Sequence, residues 1–150
     1  MELDLDVLYM KKALEQAQMA YDADEVPIGA IVVCNSKIIG KGFNQTERLN
    51  DVTAHAEMLA ITAAASHLGG KYLDECTLYV TIEPCVMCAG AIKHARFQRV
   101  VIGATEPKTG FSQYLNQDFN TKTELKMGVL EEDCRMIMKQ FFKEKRASRI

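Results

Sequence analysis

No stretch of this 150-residue chain is apolar for long enough to span a membrane, and the acidic start Met1-Glu2-Leu3-Asp4 lacks the basic flank of an export signal. Those two absences argue against a helical membrane protein and an exported one, and they predict a cytoplasmic protein. A charge excess is also missing. The formal net charge is −2, so the chain is not a basic protein that coats polyanions. The cysteines number five, an odd count that does not suit a disulfide framework and leaves metal binding or core packing as their use. There is no internal repeat, no linker-like composition and no second domain boundary. With 48% hydrophobic and 25% charged residues, the balance is that of a folded globular domain large enough to bury its own core.

The charge that is present is unevenly spread. Through Glu25 there are two lysines against seven acids, a balance of −5; from Lys139 to Ile150 there are five bases against one acid, a balance of +4. The second run reads as an amphipathic helix ending in solvated lysines, or as one basic face for a polyanion.

Periodicity predicts a helix over 4–22, with Leu5, Leu8 and the small residues Ala13, Ala17 and Ala20 as its apolar stripe. Pro27 stops it. Ile28 to Cys34 is almost continuously apolar and β-branched, as in a strand buried on both faces. After a turn at Asn35-Ser36 the chain returns over 37–44, a strand weakened by Gly40 and Gly42 and therefore bulged or at an edge. An alanine-rich helix over 54–67 stops at Gly69-Gly70. A strand at 77–82, a helix at 85–95 and a strand at 99–103 follow, and this βαβαβ run implies neighbouring parallel strands covered by helices. Residues 104–123 read as a long loop with a short helical turn. A short strand at 125–127 precedes a final helix over 131–145, with Cys134, Ile137, Met138, Phe141 and Phe142 on one face.

Two stretches carry the chemistry: His55-Ala56-Glu57, and Glu83-Pro84-Cys85-Val86-Met87-Cys88. One imidazole and two thiolates suit a tetrahedral zinc ion, and three protein ligands leave a fourth position for water. H-x-E followed by P-C-x-x-C is the zinc deaminase pattern, in which the glutamate moves protons and does not bind the metal. Residues two apart cannot converge from the middle of a helix, so His55 and Glu57 belong at a helix start. There the helix dipole also favours thiolates at Cys85 and Cys88. Cys34, Cys76 and Cys134 fall in apolar settings and read as core residues. His67 and His94 have no partner at ligand spacing and read as structural or surface residues.

With these residues in hand, the chain resembles the bacterial tRNA-specific adenosine deaminases of the cytidine deaminase-like superfamily. The likeness runs through Glu25-Val-Pro-Ile-Gly-Ala30, Thr53-Ala-His-Ala-Glu57, Thr77-Leu-Tyr-Val-Thr81, Glu83-Pro-Cys-Val-Met-Cys-Ala-Gly90, Gly103-Ala104 and Lys108-Thr-Gly110. It implies a single zinc deaminase domain over 1–150 with a three-layer αβα, α/β fold: a central mixed five-stranded sheet with helices on both faces. It further implies one Zn²⁺ per subunit held by His55, Cys85 and Cys88, proton transfer by Glu57, a hydrogen bond from Asn44 to the target nucleoside, and a base pocket walled by Ile28, Ala56 and Pro84. The implied activity is conversion of adenosine to inosine at the wobble position (34) of tRNA, by a homodimer that holds the anticodon loop across both subunits.

One segment departs from the pattern. Many relatives follow Lys-Thr-Gly with Gly-Ser-Leu and an Asn-His pair, whereas this chain has the shorter Phe111-Ser-Gln-Tyr-Leu-Asn-Gln-Asp-Phe119-Asn120-Thr121. Phe111, Tyr114 and Phe119 either stack splayed RNA bases or pack the loop onto its own body. Phosphate contacts are expected from Lys93, Arg96, Arg99, Lys143, Lys145, Arg146 and Arg149. Two other functions use the same motif: a deaminase of free bases, nucleosides or nucleotides of the guanine or cytosine type, and a non-catalytic zinc-stabilised scaffold or RNA-binding partner. The second has no use for Glu57.

Overall fold

A computed structural model describes residues 4–114, 119–120 and 122–148. Helix α1 (Leu5–Asp22) leads into the hairpin β1 (Gly29–Cys34) and β2 (Lys37–Phe43). Helix α2 (Ala56–Leu68), strand β3 (Cys76–Ile82), helix α3 (Val86–Ala95) and strand β4 (Arg99–Ala104) follow. A 3-10 turn (Phe111–Gln113), strand β5 (Glu124–Met127) and helix α4 (Glu131–Ala147) complete the order.

The five strands form one mixed sheet in the order β2-β1-β3-β4-β5. Strand β1 is antiparallel to both β2 and β3, whereas β3, β4 and β5 run parallel. The expected neighbouring parallel strands are therefore found from β3 onward, but β2 and β3 are not neighbours. Helix α2 carries the chain over β1, which sits between them. No periodicity reports that skip, because β1 buries both of its faces and could take any interior place.

Every residue of β1 is buried, and alternate side chains feed two separate cores. Ala30, Val32 and Cys34 pack with Ala56, Ala60 and Ala64 of α2 and Ala89 and Ile92 of α3. Ile31 and Val33 pack on the opposite side with Met10 and Ala13 of α1 and Cys134 of α4. Helices thus cover both faces, two to each. Phe111 and Phe119 belong to the first core, with ring centroids 4.7 Å apart, so these two aromatics pack the loop onto the body and only Tyr114 of the three is exposed.

Gly40 and Gly42 mark an edge strand opposite a bulge, where the register slips between Val32 and Val33. They are also needed for packing. A Cβ at either would strike the α2 backbone, at the carbonyls of Ala60 and Ala56 respectively. Alanines on α2 and glycines on β2 together let the helix lie directly on the strand.

Helix α1 departs from the expected stripe. Leu5 is 50% and Leu8 39% exposed, while Asp6, Met10, Ala13, Ala17 and Ala20 are buried. The reason is electrostatic. Asp6 receives two hydrogen bonds of 2.9 Å from the Arg99 guanidinium, one of 2.7 Å from the Tyr79 hydroxyl and one of 3.0 Å from Lys126 Nζ. These bonds tie α1 to β3, β4 and β5, and a helix turned to bury Leu5 would forfeit them. Arg99 Nε lies 2.9 Å from Glu124 Oε2 as an ion pair, without hydrogen-bond alignment.

The Arg99 fork holds the Asp6 carboxyl well below the usual carboxylate range, with Tyr79 and Lys126 adding to it against the cost of burial. A depressed folded-state pKa gives stability that is present above the unfolded value of about 3.9 and lost as pH falls below it. Asp6→Asn should cost about 3 kcal/mol near neutral pH. The gap between urea melts of the two proteins should begin to narrow as the buffer is taken from about pH 5 to about pH 3, because the loss runs on down to the depressed folded-state pKa.

Candidate active site

The connections β2→α2 and β3→α3 both leave the sheet at one edge, the C-terminal end of the parallel strands, where open α/β sheets bind ligands. His55 and Cys85 occupy the N-cap positions of α2 and α3, each with extended backbone (φ −75°, ψ 155° and φ −73°, ψ 174°) and neither making a side-chain capping bond. Pro84 and the β-region N-caps explain why both helices begin there. An N-cap and the residue three along face each other across the first turn, which brings Cys88 beside Cys85. His55 Nδ1 lies 3.4 Å from Cys88 Sγ and 3.6 Å from Cys85 Sγ. The three donor atoms fall within 4.8 Å of one another. One imidazole nitrogen and two sulfurs at that spacing fit a tetrahedral zinc ion.

The electrostatics favour such a use. The Cys85 thiol is pulled down to about 5, first by a hydrogen bond with Cys88 and then, against burial, by the backbone N–H groups of Cys88 and Met87 and by nearby His55. The Cys88 thiol is pushed up, because it supports the Cys85 thiolate and is itself buried. One sulfur is therefore ready to bind, and the second gives up its proton when a cation arrives.

Glu57, two residues past His55, is 4% exposed. Burial pushes its carboxyl up to about 7, partly offset by a backbone hydrogen bond at Glu57 itself and by the proximity of His55. A carboxyl balanced near neutrality both accepts and returns a proton.

These groups open onto a cleft of about 730 Å³ lined by His55, Ala56, Glu57 and Cys85, together with Ile28, Asn44, Glu106, Pro107, Lys108 and Thr109. Ile28, Asn44 and Ala56, expected to meet the nucleoside, all line this cleft. Asn44 is held in place by its Nδ2 donating to Val26 O at 3.4 Å and its Oδ1 accepting from Thr46 N at 3.4 Å. Pro84 does not line the cleft; it is buried behind it, its carbonyl accepting from Phe111 N at 2.9 Å.

The expected cations do not gather as a set. Arg99 is committed to Asp6, Arg96 stacks 4.1 Å from the Tyr72 ring beside a different hollow, and Lys145 pairs with Asp24 at 2.5 Å. Lys93 lies on the exposed side of α3 and is not among the cleft residues, and Arg149 falls outside the described residues. Arg146 does line the cleft, with Met138 and Phe142 of α4. An adjoining groove adds Arg135, Lys139 and Lys143. The basic residues of α4 were expected to meet phosphates, but the place of Met138 and Phe142 in the cleft and the buried carboxylates Glu25 and Glu83 were not anticipated. An acid at the border of an apolar strand was the available signal for both glutamates, whereas nothing local announces where α4 docks. His67 and His94 are exposed, as expected. Cys34, Cys76 and Cys134 are buried.

The chain is similar to known proteins. A model of the MafB19-like deaminases matches residues 6–146. The tRNA-specific adenosine deaminase of Bacillus subtilis (strain 168) is 46% identical over 146 residues, spanning 94% of this chain and 91% of that protein. A solved structure from work on A-to-I editing by tRNA:A34 deaminases superposes with a TM-score of 0.79 at 40% identity, covering 85% of this chain and 96% of that one. A guanine deaminase structure from Bacillus subtilis, also 40% identical, covers 67% of this chain and 64% of its own with a TM-score of 0.64. Likeness along nearly the whole length, with the donor set and the acid converging at one sheet edge, makes this chain a member of the tRNA-specific adenosine deaminase family.

Proposed function

We propose that the chain is a single zinc deaminase domain that hydrolyses adenosine to inosine at the wobble position (34) of a tRNA anticodon, releasing ammonia. His55, Cys85 and Cys88 hold one Zn²⁺ per subunit, and the metal supplies Lewis acidity that makes water a nucleophile near neutral pH. Glu57 would take one proton from the attacking water and deliver it to N1 of adenine as C6 is attacked, then take the second from the new C6 hydroxyl and pass it to the amine, so that the C6 carbonyl forms as the C6–N bond breaks and ammonia leaves. Asn44 hydrogen-bonds the nucleoside, and Ile28 and Ala56 bracket the base. An anticodon loop is already unpaired, so the adenosine enters the cleft at little unstacking cost.

Glu57 is the observation that carries the chemistry: a carboxyl buried against a nitrogen and two sulfur donors has no purpose in a purely structural metal site. The polynucleotide substrate draws its support from the relatives and from the groove beside the cleft. There Arg146, Lys143 and Lys139 are set to meet phosphates, while Arg135 is already paired with Glu131 and Glu132. Among the described residues no helix is long and apolar enough to cross a membrane, and we place the enzyme in the cytoplasm with its substrate. The exposed Val86 and Met87 at the start of α3 and Leu49 and Val52 in the loop before α2 support a homodimer in which both subunits meet the anticodon loop.

A guanine-type deaminase is the second reading, favoured by the 40% identity to the Bacillus subtilis guanine deaminase over about two thirds of the chain. Incubating the zinc-loaded protein with an anticodon stem-loop carrying A at the wobble position, then sequencing, should report inosine as G. Free adenosine, guanine and cytosine run in parallel should release little ammonia. Equal turnover of a free base and the stem-loop would overturn the assignment.

Replacing Glu57 by alanine should leave zinc content unchanged while turnover falls by about 10²–10⁴. Elemental analysis beside an ammonia assay separates the two effects. Cys88→Ala should instead lose metal and thermal stability together, and a chelator should reproduce that loss in the unaltered protein. Stem-loop affinity should fall steeply with salt. Three phosphate contacts give a log–log slope of about −2, and Lys143→Ala should flatten it by about 0.7.

A further inference from the structure

We propose that Glu83 is a positioning residue: its carboxylate fixes the rim segment 105–112 to the start of α3, and so sets how the cleft receives the nucleotides flanking the reacting base. The inference rests on the proposed RNA substrate. Glu83 is 5% exposed, and among the described residues no lysine or arginine pairs with it. Its charge is met instead by donors from the rim alone. Oε1 accepts from Glu106 N at 3.1 Å, and Oε2 accepts from Ser112 N at 3.0 Å and Ser112 Oγ at 2.6 Å. The main chain joins the same two segments, Glu83 N donating to Ala104 O at 2.8 Å and Phe111 N donating to Pro84 O at 2.9 Å.

Space is reserved for the carboxylate as well. A Cβ at Gly110 would occupy the position of the Glu83 carboxyl group. Burying an anion without a counter-ion is costly, and three directed hydrogen bonds offset that cost only in one arrangement of the loop. An apolar side chain would fill the same volume without choosing among loop conformations. A carboxylate therefore specifies geometry where simple packing would not.

The geometry it specifies is that of the cleft. Between the anchors at Glu106 and Ser112 runs Pro107-Lys108-Thr109, which lines the same cleft as Asn44 and Ile28. The other end of the strut lies two residues before Cys85. The thiol-bearing helix start and this part of the cleft wall thus move as one piece, and the width between them is a property of Glu83. The rim touches what flanks the base, not C6 or N1, so its displacement is felt in binding more than in the chemical step.

Glu83→Gln keeps the shape but turns an N–H group toward the rim donors. In the full-length zinc-loaded protein it should retain zinc and accelerate amide exchange across 105–112. KM for the wobble-A stem-loop should rise about tenfold while kcat changes by less than about threefold. Ser112→Ala should act in the same direction with smaller size, and it carries the test should Glu83→Gln fail to fold. Unchanged exchange across 105–112, a fall in kcat at constant KM, or a lowered melting temperature with unaltered KM would each overturn the role. Should the unaltered protein leave the stem-loop untouched, the RNA assignment fails, and the exchange measurement still decides whether Glu83 holds the rim.

Discussion

The site depends on two helices being made to start at the same edge of one sheet. Helix α2 is pressed onto β2 through alanines against glycines, and α3 leaves β3 through Glu83-Pro84. Both N-caps are then an imidazole and a thiol that do not cap. At each helix start the N–H groups normally capped by a side chain instead face toward negative charge. That is where a thiolate is least costly and where an acid two residues past the cap can reach the same point.

Among the described residues four carboxylates are buried, and they show how one interior deals with the same problem in three ways. Asp6 is met by Arg99, Lys126 and Tyr79, and its charge is strongly favoured. Glu25 and Glu83 are met by backbone N–H groups, Glu25 by Glu47 N at 3.0 Å and Arg48 N at 2.7 Å, Glu83 by Glu106 and Ser112. Glu57 alone is left short of donors, and burial raises its pKa. The first three fix elements and loops in place. The fourth is left able to titrate because burial outweighs the hydrogen bonds and the nearby imidazole that favour its charge. The loops held by Glu25 and Glu83 both border the cleft, so rigidity surrounds the one titrating group.

The distribution of cations follows the same economy. Several of the bases expected at the cleft are used elsewhere in the fold: Arg99 on Asp6, Arg96 on Tyr72, Lys145 on Asp24. What remains near the site is Lys108 on the rim and the bases of α4, a helix whose apolar side docks through Cys134 on the sheet and through Phe141 on Tyr21 of α1. The basic side of α4 is left along the groove. The positive face is a consequence of how that helix docks, not of overall composition.

Much of this was legible in the amino-acid order. Helix and strand types, the apolar β1, the edge position of the glycine-bearing β2 and the H-x-E and C-x-x-C spacing all depend on neighbours within a few residues, where periodicity and turn chemistry act. The donor set could be recognised for the same reason, since each fragment sits at a helix start that its own residues define. Three things were decided only by tertiary structure: that β1 separates β2 from β3, that α1 buries Asp6 in preference to Leu5 and Leu8, and that α4 lines the cleft while Pro84 stands behind it. Each turns on a partner tens of residues away, Asp6 on Arg99 and Glu83 on Ser112. Side-chain type fixes what a residue is able to bind. Only the assembled sheet fixes which of several equally suitable partners it meets.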